Sequence, residues 1–152
     1  MAPKRTGNRR PRTQDDVVKL IDADHKEVRQ LFQEFEKGGD FAIVDQIMTA
    51  LLAHTQKEEA VVYPHLQELD EDFFFEAHAE HDVVDMIMSQ LANHTGEEGH
   101  YDAMVKVLQE NVEHHIEEEE KMGFRLIRKL PQEVREEIVI AWNGAVTKTI
   151  AA

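Results

Sequence analysis

Apolar residues recur along this chain at intervals of three and four over long stretches, the period of an α-helix with one buried face. The first stripe is Val18, Ile21, His25, Val28, Phe32 and Phe35. It predicts a helix from about Thr13 to Lys37, capped by Thr13 or Asp15 and stopped at Gly38-Gly39. Asp40 can cap a second helix with Ile43, Ile47, Leu51, His54, Glu58, Val61 and His65 inward, and Pro64 kinks or ends it. Leu66 to Asp72 reads as a turn or a short helical continuation. A third helix from about Phe73 to Asn93 lines up His78, His81, Val84, Met88 and Leu91, with Phe73–Phe75 as core at the bundle end. The polar run His94 to Gly99 breaks the pattern. A fourth helix, Tyr101 to Lys129, turns Met104, Leu108, Asn111 or Val112, His115, Glu119, Met122 and Leu126 inward. Pro131 opens a shorter fifth helix through Trp142, stopped by Asn143-Gly144.

Helices of more than 20 residues span ~30 Å or more. Four of them joined by short connections predict an all-α fold, an up-down-up-down four-helix bundle with a short fifth C-terminal helix. The expected boundaries are a disordered basic tail over 1–13, the bundle over 14–129, and the short C-terminal helix and tail over 130–152.

The stripes contain residues that an apolar face does not ordinarily hold. His115 and Glu119 are four apart in NVEHHIEEEE, so on a helix they project from one face about one turn apart. His54 and Glu58 repeat that spacing in LLAHTQKEEAVVYP, and Tyr63 falls opposite Phe124 when the histidines are aligned. Each pair follows a helix with an interior histidine, His25 in DADHKEVRQLF and His81 in EAHAEHDVVDMI. The order H, HxxxE, H, HxxxE is two copies of a helix pair, in which His81 repeats His25 and His115 repeats His54. A carboxylate on a buried stripe is costly unless it is paired or bound to a metal. Four interior histidines would need four separate explanations if each were only a satisfied core residue. Together His25, His54, Glu58, His81, His115 and Glu119 offer four imidazoles and two carboxylates, a set suited to two metal ions with the carboxylates bridging.

Composition narrows the chemistry. The 152 residues contain no cysteine, which removes disulfides, thiolate metal sites, iron–sulfur clusters and cysteine nucleophiles. Net charge is −14, so the folded body is not expected to bind nucleic acid. Five of the 17 basic residues (Lys4, Arg5, Arg9, Arg10, Arg12) lie between Met1 and Thr13, and none of the 31 acidic ones does. That segment reads as a solvated tail. No apolar run approaches a membrane span and no signal-peptide core is visible, which predicts a cytoplasmic protein.

The constellation resembles the hemerythrin-like (HHE cation-binding) family over about residues 14–129. The resemblance implies two non-haem iron ions inside the bundle, a di-iron centre with carboxylate and oxo or hydroxo bridges. It implies oxygen or hydrogen peroxide as the small-molecule partner. Oxygen-carrying members place one histidine on the first helix, HxxxE on the second, HxxxH on the third and HxxxxD on the fourth. His25, His54, Glu58, His81 and His115 match by position, and Glu119 replaces the aspartate at a spacing of four. The third helix departs: four residues before His81 stands Ala77, and His78 at three before is on a nearby face.

That departure favours peroxide decomposition, a catalase-like activity, over reversible oxygen carriage. Oxygen sensing, an iron-responsive or other metal-handling role without catalysis, and a redox-silent zinc protein are the alternatives. No partner domain is attached in the sequence, which weighs against a sensor module. A ferritin-like oxidase would use Glu-x-x-His, and the one such spacing, Glu97 to His100, lies in the glycine loop. Tyr63 and Tyr101 are candidate ligating or redox-active phenols. His114 is read as surface or supporting, His94 and His100 as exposed, and Glu59, Glu118 and Glu120 as solvated.

Overall fold

The structure, a computed structural model, describes residues 13–145, and among them every element is helical. The elements are α1 (Thr13–Gly38), α2 (Phe41–Lys57), α3 (Glu71–Ala92), α4 (Glu98–Glu118), α5 (Phe124–Lys129) and α6 (Gln132–Gly144). The expected all-α bundle is the observed fold. α1 packs along α2 and α3 along α4, while α6 lies back against α1. The basic tail lies outside the described residues except for Thr13, and so do the side chains that would cap α1.

Local chemistry explains the boundaries. α1 stops where Gly39 takes φ +63°, a left-handed conformation that glycine adopts without a Cβ penalty, and its N–H returns to Phe35 O at 2.7 Å. Asp40 caps α2 by accepting from Ala42 N at 2.9 Å. Asp70 caps α3 by accepting from Phe73 N at 3.0 Å, so that helix begins at Glu71, earlier than expected. α4 likewise begins earlier, at Glu98. Phe73 is core, but Phe75 is 56% exposed, because successive helical residues diverge by ~100° and three in a row cannot share one face.

Two π turns are not legible in the apolar pattern. α2 continues through a π turn (Glu58–Val62) and a 3-10 turn (Tyr63–His65), and α4 continues through a π turn (Glu119–Gly123) into α5. The π bonds run from Tyr63 N to Glu58 O and from Phe124 N to Glu119 O. Each turn begins on the glutamate of an HxxxE pair. Each inserts one residue and moves the buried face on by ~100°. Val62 and Leu66 are buried in place of the expected Val61 and His65, and Gly123 in place of Met122, while Leu126 is buried as expected with Ile127 beside it.

The core is divided in two. One apolar cluster holds Val17 and Ile21 of α1, Tyr63, Phe73 and Ala77, together with Trp142 of α6. The other holds Val28 and Phe32 of α1 with the N-terminal part of α2 and the facing parts of α3 and α4. Between the two clusters along every long helix stands the histidine or the HxxxE pair. No helix among the described residues is long and apolar enough to cross a membrane.

Candidate metal centre

All six expected residues are buried and converge on this middle layer. His25, His54, Glu58 and Glu119 form one group, and Glu58, His81, His115 and Glu119 form another. Within each group, one ligand-type atom per residue lies within 4.8 Å of all the others. Glu58 and Glu119 belong to both groups. The arrangement therefore has two histidine pairs flanking two shared carboxylates.

Each imidazole is oriented from outside by a carboxylate. His25 Nδ1 lies 3.2 Å from Glu120 Oε1, and His81 Nδ1 lies 3.3 Å from Glu59 Oε1. His54 Nδ1 lies 2.8 Å from Asp24 Oδ2, and His115 Nδ1 lies 3.4 Å from Glu80 Oε1. A carboxylate only accepts, so the Nδ1 proton donates outward and the Nε2 lone pair faces the centre. This is the support that metal-binding histidines ordinarily have. The inward partners are carboxylates too: His25 Nε2 is 3.1 Å from Glu119 Oε1, His115 Nε2 is 3.3 Å from Glu119 Oε2, and His54 Nε2 meets Glu58 Oε1. A lone pair facing a carboxylate repels it unless a proton or a metal cation sits between them.

The electrostatics carry that demand. Burial opposes charge on His54, but the Glu58 carboxylate and the Asp24 hydrogen bond outweigh it and push its pKa up to about 10. His115 is likewise raised against the effect of burial, by Glu119 and Glu80. Glu119 is held well below the ordinary glutamate value despite burial, by hydrogen bonds from its neighbours and by His115 and His25. The two raised imidazoles, His54 and His115, therefore favour holding a proton where a cation could stand. Glu58 is 0% exposed, and its Oε1 meets His54 Nε2 with no solvent to share the charge. A buried charge left without a partner costs several kcal/mol, comparable with the ~5–15 kcal/mol that stabilises a whole domain. The donor set, imidazole and carboxylate with no sulfur, fits iron, manganese or zinc.

Tyr63 enters the centre. Its Oη donates to Glu119 Oε2 at 2.5 Å and lies 3.2 Å from His81 Nε2 and 3.3 Å from His115 Nε2. Burial, then the charges of Glu119 and Glu58, hold its pKa well above the ordinary phenol value, so it keeps its proton. Its ring stacks on His81 with centroids 5.2 Å apart, and its repeat partner Phe124 stacks on His25 at 6.1 Å. Tyr101 lies elsewhere, packed edge-on against Phe41 and His94.

His78 does not join the centre. It is partly exposed, and its Nδ1 lies 3.5 Å from Glu59 Oε1. His114 is exposed, and His94 pairs with His100 at 3.0 Å. Glu59 and Glu120, expected to be solvated, are instead partly buried supports of His81 and His25. Asp24 and Glu80 escape a reading based on apolar stripes. A signal for them exists all the same: each precedes a helix histidine, as Glu59 and Glu120 each follow an HxxxE glutamate, so the supports recur with the ligand repeat.

Searches of curated proteins and of solved structures return no match to the chain. Residues 16–127 match the Hemerythrin HHE cation binding domain, a stretch that includes all six converging residues. The chain belongs to the hemerythrin HHE cation-binding family.

Proposed function

We propose that this protein is a non-haem di-iron protein that reacts with oxygen or hydrogen peroxide, and that it decomposes peroxide in preference to carrying oxygen reversibly. His25 and His54 would hold one iron and His81 and His115 the other, with Glu58 and Glu119 bridging both. The observation that carries this reading is the sharing of two buried carboxylates between two histidine pairs. When bound, the iron pair supplies electrons to the oxidant and recovers them, chemistry that no side chain of this acid–imidazole set performs alone.

The chain's own residues bias the outcome. Ala77 is buried four residues before His81, where the resemblance places a further histidine in oxygen carriers. The His81–His115 side therefore has one imidazole fewer and a phenol instead. Tyr63 Oη holds a proton within hydrogen-bond distance of Glu119, His81 and His115. Cleaving peroxide to water requires protons to move, whereas reversible oxygen carriage requires the O–O bond to survive. Two peroxide molecules give two waters and one dioxygen, so a group that lends a proton and recovers it suffices.

The test is an oxygen electrode reading on the iron-loaded protein mixed with hydrogen peroxide. Evolution of one dioxygen for every two peroxides consumed is expected. A stable, reversible oxygen adduct without peroxide breakdown would reverse the ordering in favour of carriage.

A further inference from the structure

The repeat that builds the centre also shows where its halves differ. Glu120, which supports His25, takes Arg29 Nη1 at 3.0 Å. The repeat equivalent of Arg29 is Asp85, which stands to His81 as Arg29 stands to His25. Asp24, which supports His54, takes Lys57 Nζ at 3.3 Å. The repeat equivalent of Lys57 is Glu118, which stands to His115 as Lys57 stands to His54. Both cations of the first half are anions in the second. Among the described residues, no lysine or arginine pairs with Glu59 or Glu80, which meet only histidines: His78 and His81 for Glu59, His114 and His115 for Glu80.

The cations are fixed in place. Lys57 lies over the Trp142 ring with Nζ 4.4 Å from its centroid, and Trp142 packs edge-on against His54 at 5.9 Å. Arg29 is shared with Glu113, which it grips through Nε and Nη2 at 3.1 and 2.6 Å. Counting Glu113, the outer charges of the His25–His54 half still leave one net negative charge: Asp24, Glu113 and Glu120 against Arg29 and Lys57. On the His81–His115 half Glu59 and Glu80 keep both of their charges, Asp85 stands near Glu59 and His81, and Glu118 occupies the repeat position of Lys57.

We propose that the two halves are unequal metal sites, with the His81–His115 site filled first and more tightly, because Arg29 and Lys57 pair with the outer carboxylates of the His25–His54 site, whereas those of its partner pair with no lysine or arginine among the described residues and the repeat positions hold Asp85 and Glu118. The inference rests on the dinuclear reading. Its physical basis is twofold. An outer carboxylate whose charge is not neutralised makes its histidine a stronger donor. A cation near the pocket repels an incoming metal ion, and burial weakens the screening.

The test is anaerobic calorimetric titration of the metal-free protein with ferrous ion. Two steps of one ion each are expected, differing by at least about tenfold in affinity, the range outer partners command. His25→Ala should abolish the weak step and keep the tight one, and His81→Ala should do the reverse. The double variant Arg29→Gln, Lys57→Gln should narrow the gap by tightening the weak step. Arg29→Lys, which keeps the charge, should preserve the gap, with helix content by circular dichroism checking the fold of each. Equal steps, loss of the tight step in His25→Ala, or an unchanged gap in the double variant overturns the proposal. Uptake of fewer than two ions by the wild type defeats the dinuclear reading itself, whereas uptake of two in the wrong order defeats only the inequality.

Discussion

Tyr63 Oη lies 2.5 Å from Glu119 Oε2, a phenol from the end of one HxxxE segment reaching the carboxylate of the other. The repeat equivalent of Tyr63 is Phe124, which packs on His25 with no hydroxyl to offer. A phenyl ring at this position is thus already tolerated in the first half of the centre.

Tyr63→Phe removes the proton and leaves the ring. It is expected to retain the wild-type metal content while peroxide turnover falls on the order of 100-fold, the lower range for loss of a positioned proton donor. Metal analysis and the oxygen electrode on the same preparation check both halves of the statement. Unchanged turnover would remove Tyr63 from the chemistry.

Glu59 and Glu120 orient His81 and His25 by accepting from their Nδ1 atoms. Glu59→Gln and Glu120→Gln are each expected to weaken metal binding by roughly 10–100-fold, the usual cost of losing such a support. Glu117→Gln, at an exposed neighbouring position, is expected to change nothing. Competition against a chelator of known affinity measures the difference. Retention equal to wild type in both support variants would show that these carboxylates are only solvated.

The helices and the ligand positions are legible because both follow helical phase. His25, His54, Glu58, His81, His115 and Glu119 stand on apolar stripes where polar residues need a reason, and they recur at matched spacing. The path beyond Glu58 and Glu119 is not legible. A π turn is made by backbone bonds from Tyr63 N to Glu58 O and from Phe124 N to Glu119 O, and a hydrophobic stripe carries no mark of them. Extrapolating a straight helix through each turn therefore selects Val61 and Met122 where Val62 and Gly123 lie inward. Gly123 has a further reason that only packing shows: a Cβ there would come within 3.0 Å of both Glu119 Cγ and Phe73 Cζ. The role of Tyr63 depends on the same turn, which carries its ring over His81.

The metal-free site has a defined pH response. The pKa of His54 rises from 6.5 to about 10 on folding, with burial opposing and the Glu58 and Asp24 carboxylates prevailing. A group whose folded pKa exceeds its unfolded value contributes fully below the unfolded pKa, and the contribution disappears as pH rises through the folded one. The metal-free protein is therefore expected to lose thermal stability from about pH 6.5 to about 10, and His54→Gln is expected to flatten that slope. Metal affinity runs the other way over the same window, since a bound cation must displace those protons. Calorimetric melting in the presence of a chelator reads the first trend. A melting temperature that climbs with pH in metal-free wild type would contradict it.

The most direct measurement is iron content after anaerobic ferrous loading and desalting, compared between wild type, Glu58→Ala and Glu119→Ala. Because both carboxylates belong to both histidine groups, about two iron ions per chain are expected in the wild type, with one or fewer in either variant. One iron per chain in the wild type, or two retained in both variants, would contradict a centre built on shared carboxylates.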